Sequence, residues 1–158
     1  MRFSSRIALI SALAASLAGP LCALTIKQVE TRNYTAEQLT TVSEILSGEE
    51  QAGKRTYLRT DPSIKAGRYF IADLDSPLSA LPKGSTAVLE IIRASDGTTR
   101  TISLPFSEAI GSMGTALYIG LTGENSDETM LAWRLTMRDA SDKVLAEKHS
   151  YLWEMPSE

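Results

Sequence analysis

The sequence predicts an all-β protein, a seven-stranded antiparallel sandwich preceded by a short N-terminal helix or arm. Three observations carry that expectation. From residue 55 onward apolar side chains recur at every second position, the period of a half-buried strand. The runs that alternate in this way are separated at regular intervals by turn residues, which is the spacing of a sandwich. The helical period shows only ahead of them, between Thr35 and Ser47.

The chain opens on Arg2 and Arg6, followed by an uncharged apolar run from Ile7 to Leu17, then Gly19-Pro20 and the small residue Ala23. A membrane-spanning helix needs about 20 apolar residues. This run is shorter and ends in a helix-breaking Gly-Pro, so residues 1–23 read as a cleaved secretory signal. Two cleavage points fit, after Ala23 or after Ala18; the first keeps Pro20 away from the scissile bond and the second matches the small-x-small rule more closely. Cys22 would be a lipoprotein cysteine only with a small residue ahead of it, and Leu21 stands there instead. The expected location is the bacterial periplasm or the medium.

Removing 23 of 158 residues leaves 135, one ordinary domain, with no transmembrane segment expected in it. Two of the 16 basic residues leave with the signal, so 14 face 19 acidic residues and the net charge is near −5. Nonspecific nucleic-acid binding depends on a basic surface and is not expected. Without Cys22 the chain has no cysteine, so stability rests on the core rather than on disulfides.

Residues 24–54 read as an N-terminal arm. A polar connector runs on from Leu24 to Glu30 and reaches Thr35, where Thr35-Ala36-Glu37-Gln38 has the spacing of a helix capping box. Leu39, Val42, Ile45 and Leu46 fall on one helical face, and Ser47-Gly48 closes it. Thr40-Thr41-Val42 suits a strand as well, so residues 36–47 stay open between the two.

The sandwich is expected over residues 55–158, with strands at Arg55 to Thr60, Arg68 to Leu74, Thr86 to Ala94, Thr98 to Phe106, Ala116 to Thr122, Met130 to Arg138 and Val144 to Trp153. Ile102, Leu104 and Phe106 oppose Thr101 and Ser103; Leu117, Ile119 and Leu121 oppose Tyr118 and Gly120. Likewise Leu131, Trp133, Leu135 and Met137 should face the core, with Ala132, Arg134, Thr136 and Arg138 on the wet side. Asp96-Gly97 supplies the positive φ of one tight hairpin, and Asp139 to Lys143 forms another. In the last run the apolar phase changes, which predicts a bulge or twist near His149.

The closing segment, MLAWRLTMRDASDKVLAEKHSYLWEM, resembles the terminal hairpin of immunoglobulin-like and fibronectin-type-III-like domains of exported bacterial proteins. A Trp-bearing apolar strand, a polar turn and a second strand beginning Val-Leu-Ala carry the resemblance, which extends in arrangement over residues 55 to 155. It implies an immunoglobulin-like architecture without the two inter-sheet cysteines of antibody domains. Such domains serve as adhesins, chaperones, carbohydrate binders and spacers, so function does not follow from the fold.

No catalytic constellation, metal-ligand set or cofactor loop is legible. Once the signal is removed a single imidazole, His149, remains, with no Gly-x-Ser-x-Gly elbow to expose a nucleophile. Asp73 and Asp75 share a strand face at the spacing of paired carboxylates, but a solvated strand end explains them, as it does Glu49-Glu50. The acidic loop from Glu124 to Glu128 lacks the alternation of a calcium loop. Arg55, Tyr57 and Arg59 are the partner-binding candidates, because an extended strand puts them on one face and Arg and Tyr are enriched in binding hot spots. Tyr34, Tyr69 and Tyr118 would widen that face into an aromatic platform if their strands adjoin. The expected function is that of a noncatalytic envelope module that holds a protein partner, with carbohydrate binding as the alternative and hydrolysis third.

Overall fold

Alternating apolar residues can bury one face only if two sheets meet, and they do so here. A computed structural model of the chain describes residues 24–49, 55–106, 114–126 and 128–154. The expected leader and both of its cleavage points lie outside them. In chain order the strands are β1 (Ile26–Tyr34), β2 (Thr56–Arg59), β3 (Gly67–Leu74), β4 (Thr86–Arg93), β5 (Thr99–Pro105), β6 (Ala116–Thr122), β7 (Met130–Arg138) and β8 (Val144–His149). They form two four-stranded sheets, ordered β1-β3-β6-β2 and β5-β4-β7-β8.

The fold is therefore the expected all-β sandwich, with eight strands in place of seven. The additional strand is β1, which lies in the stretch read above as a polar connector and arm. Its pairing with β3 shifts register between Ile26 and Gln28, so Lys27 is an extra residue. That bulge turns both Ile26 and Val29 toward the core although they stand three apart, which erases the period of two from the sequence. A second correction concerns direction. β2 runs parallel to β6, from Thr56 opposite Leu117 to Arg59 opposite Gly120, while every other pairing is antiparallel.

Between β1 and β2 the helical reading holds, but as two short helices, α1 (Ala36–Leu39) and α2 (Val42–Ser47). Gln38 closes the capping box by accepting the Thr35 N–H at 2.9 Å. The break comes from Thr41, whose hydroxyl accepts the Glu44 N–H at 3.2 Å and starts a new helix. With the helix broken, the expected apolar face does not form: Leu39 is buried, whereas Val42, Ile45 and Leu46 are 73, 71 and 82 % exposed.

The core lies between the sheets. Phe70, Leu74, Leu117, Ile119 and Leu121 from one sheet meet Leu89, Ile91, Leu135 and Met137 from the other, all essentially inaccessible. Each such side chain contributes about 1.5–3 kcal/mol through burial. Both expected hairpins form, β4 to β5 with Gly97 at φ 68° and β7 to β8 with Asp142 at φ 67°. Asp139 ties the second turn, its carboxylate accepting the N–H groups of Ser141 (2.8 Å) and Lys143 (3.0 Å).

Bulges also alter the last two strands. The β4–β7 register shifts where Leu131 becomes the extra residue, and Leu131 is 54 % exposed rather than core-facing. In β8 the shift falls at Leu145 rather than near His149, so Leu145 and Ala146 both reach the core. The strand ends at His149 instead of Trp153. Ser150 donates its N–H to the Trp133 carbonyl at 2.9 Å, and a 3-10 turn over Tyr151–Glu154 follows. Trp153 stacks on Arg134 there, 4.8 Å from ring centre to guanidinium carbon. On the β7 side expected to be wet, Ala132 and Thr136 are buried. Trp133 itself is half-buried, packed edge-on against Phe70 at 5.8 Å.

Candidate site on the outer face of the β1-β3-β6-β2 sheet

Strand register decides which side chains share the outer face of this sheet. One row across it is Arg32, Tyr69, Gly120 and Arg59; the next is Glu30, Ile71, Tyr118 and Tyr57. Tyr34 closes the end of β1, opposite Gly67. Four of the chain's five tyrosines thus meet on one surface.

Tyr69 is the centre of the group and is fully buried. Its hydroxyl donates to the Lys65 carbonyl at 2.6 Å and accepts from Arg59 Nε at 2.9 Å. Tyr34 and Tyr57 meet its ring edge-on, with centroids 5.6 and 6.2 Å away, and Tyr57 leans on Tyr118 at 5.0 Å with a 50° tilt. Aromatic pairs of this kind contribute about 0.5–1.5 kcal/mol each beyond the area they bury.

Two of the sequence-predicted arginines lie over these rings. The Arg59 guanidinium sits 4.9 Å from the Tyr57 centroid and that of Arg55 sits 5.7 Å from Tyr118. Arg55 is exposed; Tyr57 and Arg59 are half-buried. The Tyr57 hydroxyl and then Tyr118 raise the Arg55 pKa, while burial raises that of Tyr118, so the cation and the neutral phenol coexist across the physiological range. A guanidinium beside an aromatic ring can still offer N–H groups to a carboxylate, and Arg55 is the exposed one of the two, while Arg59 donates its Nε to Tyr69.

Arg55, Tyr57 and Arg59 therefore share one face, as an extended strand requires, and Tyr34 and Tyr118 join them. Tyr69 belongs to the same group but as its buried foundation rather than as part of an open platform. The sequence reading lacked Arg32, which extends the cationic character to β1 and pairs with Glu30 at 2.6 Å. An alternating Glu30, Arg32, Tyr34 series was the signal available for it.

The remaining candidates are held by local contacts. Asp73 accepts from the Thr115 hydroxyl at 3.2 Å, and Asp75 accepts the Thr25 N–H at 3.0 Å, so each carboxylate serves its own partner. His149 is half-buried, with Nε2 3.2 Å from Glu154 and Nδ1 3.2 Å from the Ser150 carbonyl. Glu49 borders α2, with its N–H on the Ser47 hydroxyl, while Glu50 is outside the described residues. In the acidic loop Glu128 is taken by Arg93 (3.4 Å) and Arg100 (3.2 Å), and Asp127 is likewise outside the described residues. Among the described residues no three His, Cys, Asp or Glu side chains gather at metal-binding distance, and no helix is long and apolar enough to cross a membrane.

No family model matches this chain, and no curated protein matches it. A solved structure described as an immunoglobulin-like protein from Pseudomonas aeruginosa is similar at 17 % identity, covering 83 % of this chain and 97 % of that one, with a TM-score of 0.35. The sandwich architecture stands on the strand pairing itself.

Proposed function

We propose that this protein is a noncatalytic, exported bacterial interaction module that holds an acidic segment of an envelope or secreted protein against the outer face of the β1-β3-β6-β2 sheet. The observation that carries the reading is the support of Arg55 and Arg59 on Tyr118 and Tyr57, on a chain whose overall charge is negative. Cations concentrated on one face of an acidic protein select for a complementary acidic partner and set its orientation. The aromatic rings beneath reduce the entropy lost on binding, because they hold the guanidinium groups before the partner arrives.

Carbohydrate binding is the second reading, and the tyrosines are what favour it. Flat sugar faces stack best on exposed coplanar rings, whereas Tyr57 and Tyr118 are half-buried and tilted by 50°. That tilt favours the polypeptide. Export through cleavage of residues 1–23 belongs to the same proposal and accounts for the location in the periplasm or the medium.

Fluorescence anisotropy with a labelled oligoglutamate peptide and its oligoglutamine counterpart tests the reading. The glutamate peptide alone should bind, its affinity should fall with added salt, and Arg55→Ala with Arg59→Ala should abolish the difference between the peptides. Equal binding of both peptides, or an unchanged preference in the double variant, overturns it. Hydrolysis of a glycan or peptide that disappears on changing His149 or Asp73 would overturn the noncatalytic part.

A further inference from the structure

The outer edge of β1 borders the arginine and tyrosine face. Among the described residues β1 is the last strand of its sheet and pairs with β3 alone. It is nine residues long, contains no proline, and exposes Lys27, Gln28, Glu30, Thr31, Arg32 and Asn33. A strand edge of that length is a template for another strand.

Which backbone groups face outward follows from the hydrogen bonds of β3. The Leu74 N–H donates to Thr115, ahead of β6, and the Asp75 N–H donates to Thr25, ahead of β1. Direction alternates along a strand, so Asp73, Ile71 and Tyr69 turn their amides toward β1. Their register partners are Gln28, Glu30 and Arg32, which accordingly face β3. The groups left on the open edge are those of Val29, Thr31 and Asn33.

We propose that this edge takes a second copy of the same chain, with two β1 strands pairing antiparallel about a twofold axis at Thr31. In that register Thr31 faces Thr31 and Val29 faces Asn33, so every outward N–H and C=O from Val29 to Asn33 finds a partner. Glu30 then stands directly opposite Arg32 of the second copy, and the symmetry repeats the pair. Opposite charges facing across strands are favourable and like charges are not. Gln28 meets Tyr34, and no like charges are opposed. The adjacent registers, centred on Glu30 or on Arg32, set each of these charges opposite its own copy and carry a clash instead. The two sheets become one of eight strands, and the two arginine and tyrosine faces lie on the same side of it.

The pattern makes a charge swap decisive. The full chain is expressed and purified as the cell processes it, and its self-association is followed by sedimentation velocity over a concentration series. The parent protein should form dimers. Glu30→Arg alone and Arg32→Glu alone should each weaken the dimer by about tenfold or more, since each turns both symmetric pairs into repulsions. The two changes together should restore it. Thr31→Pro removes a central N–H on the open side, where an edge strand tolerates proline, and should leave a folded monomer by circular dichroism. A parent that stays monomeric throughout, dimers indifferent to either single reversal, or a double variant no better than the singles would each overturn the proposal. Thr31→Pro leaves Arg32, Arg55, Tyr57 and Arg59 unchanged, so in that variant loss of the dimer is read apart from peptide binding, which should be retained.

Discussion

Gly120 lies directly beneath the ring of Tyr69. A Cβ at position 120 would stand 2.6 Å from Tyr69 Cε1 and 2.8 Å from Cζ, closer than carbon atoms approach. The ring has nowhere to go, because it is buried and its hydroxyl is bound to both Lys65 and Arg59. Gly120→Ala should therefore cost about 1–3 kcal/mol in urea denaturation, the usual penalty for overpacking. It should also weaken capture of an acidic peptide, since Arg59 loses the hydroxyl that positions it. A variant as stable as the parent would show that the tyrosine group yields easily.

Trp133 and Arg134 are neighbours on opposite faces of β7, and their losses should differ in kind. Trp133→Ala removes the contact with Phe70 and the attached core surface, for about 3 kcal/mol. Arg134 bonds Glu90 at 2.7 Å and covers Trp153, so Arg134→Ala should cost only about 1 kcal/mol. That smaller loss should be accompanied by a change in Trp153 fluorescence as the 3-10 turn loosens. Equal denaturation midpoints would contradict the phase of β7.

Leu39 and the apolar residues of α2 make a second contrast. Leu39→Ala should destabilise by about 2 kcal/mol or more, because that side chain is buried. Replacing Val42, Ile45 and Leu46 by Ser one at a time should change stability by less than about 0.5 kcal/mol each. Losses as large as that at Leu39 would mean that this face of α2 is covered.

The carboxyl of Asp75 is held below the usual carboxylate range, chiefly by the Thr25 N–H and with a smaller part from the Ser76 hydroxyl. A lowered pKa means that the contribution to stability is present at neutral pH and is lost as the pH falls through the folded value. The Thr25 amide resonance should accordingly titrate with a midpoint below that of a free aspartate, and Asp75→Ala should flatten the curve. A midpoint at the ordinary value would separate the start of β1 from this carboxylate.

If the protein is exported as proposed, N-terminal sequencing of the material recovered from its native cells should begin at or near Leu24, or near Gly19 if cleavage follows Ala18. An intact Met1 would remove the basis for export, and a diacylglycerol on Cys22 would replace secretion by anchoring.

Seven of the eight strands were legible in the sequence because each packs a core face, and burial of every second side chain leaves a period of two that needs no knowledge of neighbours. The strand stripe Arg55, Tyr57, Arg59 was legible for the same reason: an extended backbone puts alternate residues on one side. Both hairpin turns were encoded locally, by Asp96-Gly97 and by the segment from Asp139 to Lys143. What the tertiary structure decided was everything set by non-local pairing. A bulge at Lys27 hid β1, another exposed Leu131, and a third moved the phase change of β8 to Leu145, since a bulge depends on the partner strand as much as on its own residues. The order β1-β3-β6-β2 brought Tyr34, Tyr57, Tyr69 and Tyr118 together from four separate strands. Local sequence sets which side of a strand a residue occupies; only the register between strands sets which residues stand beside it.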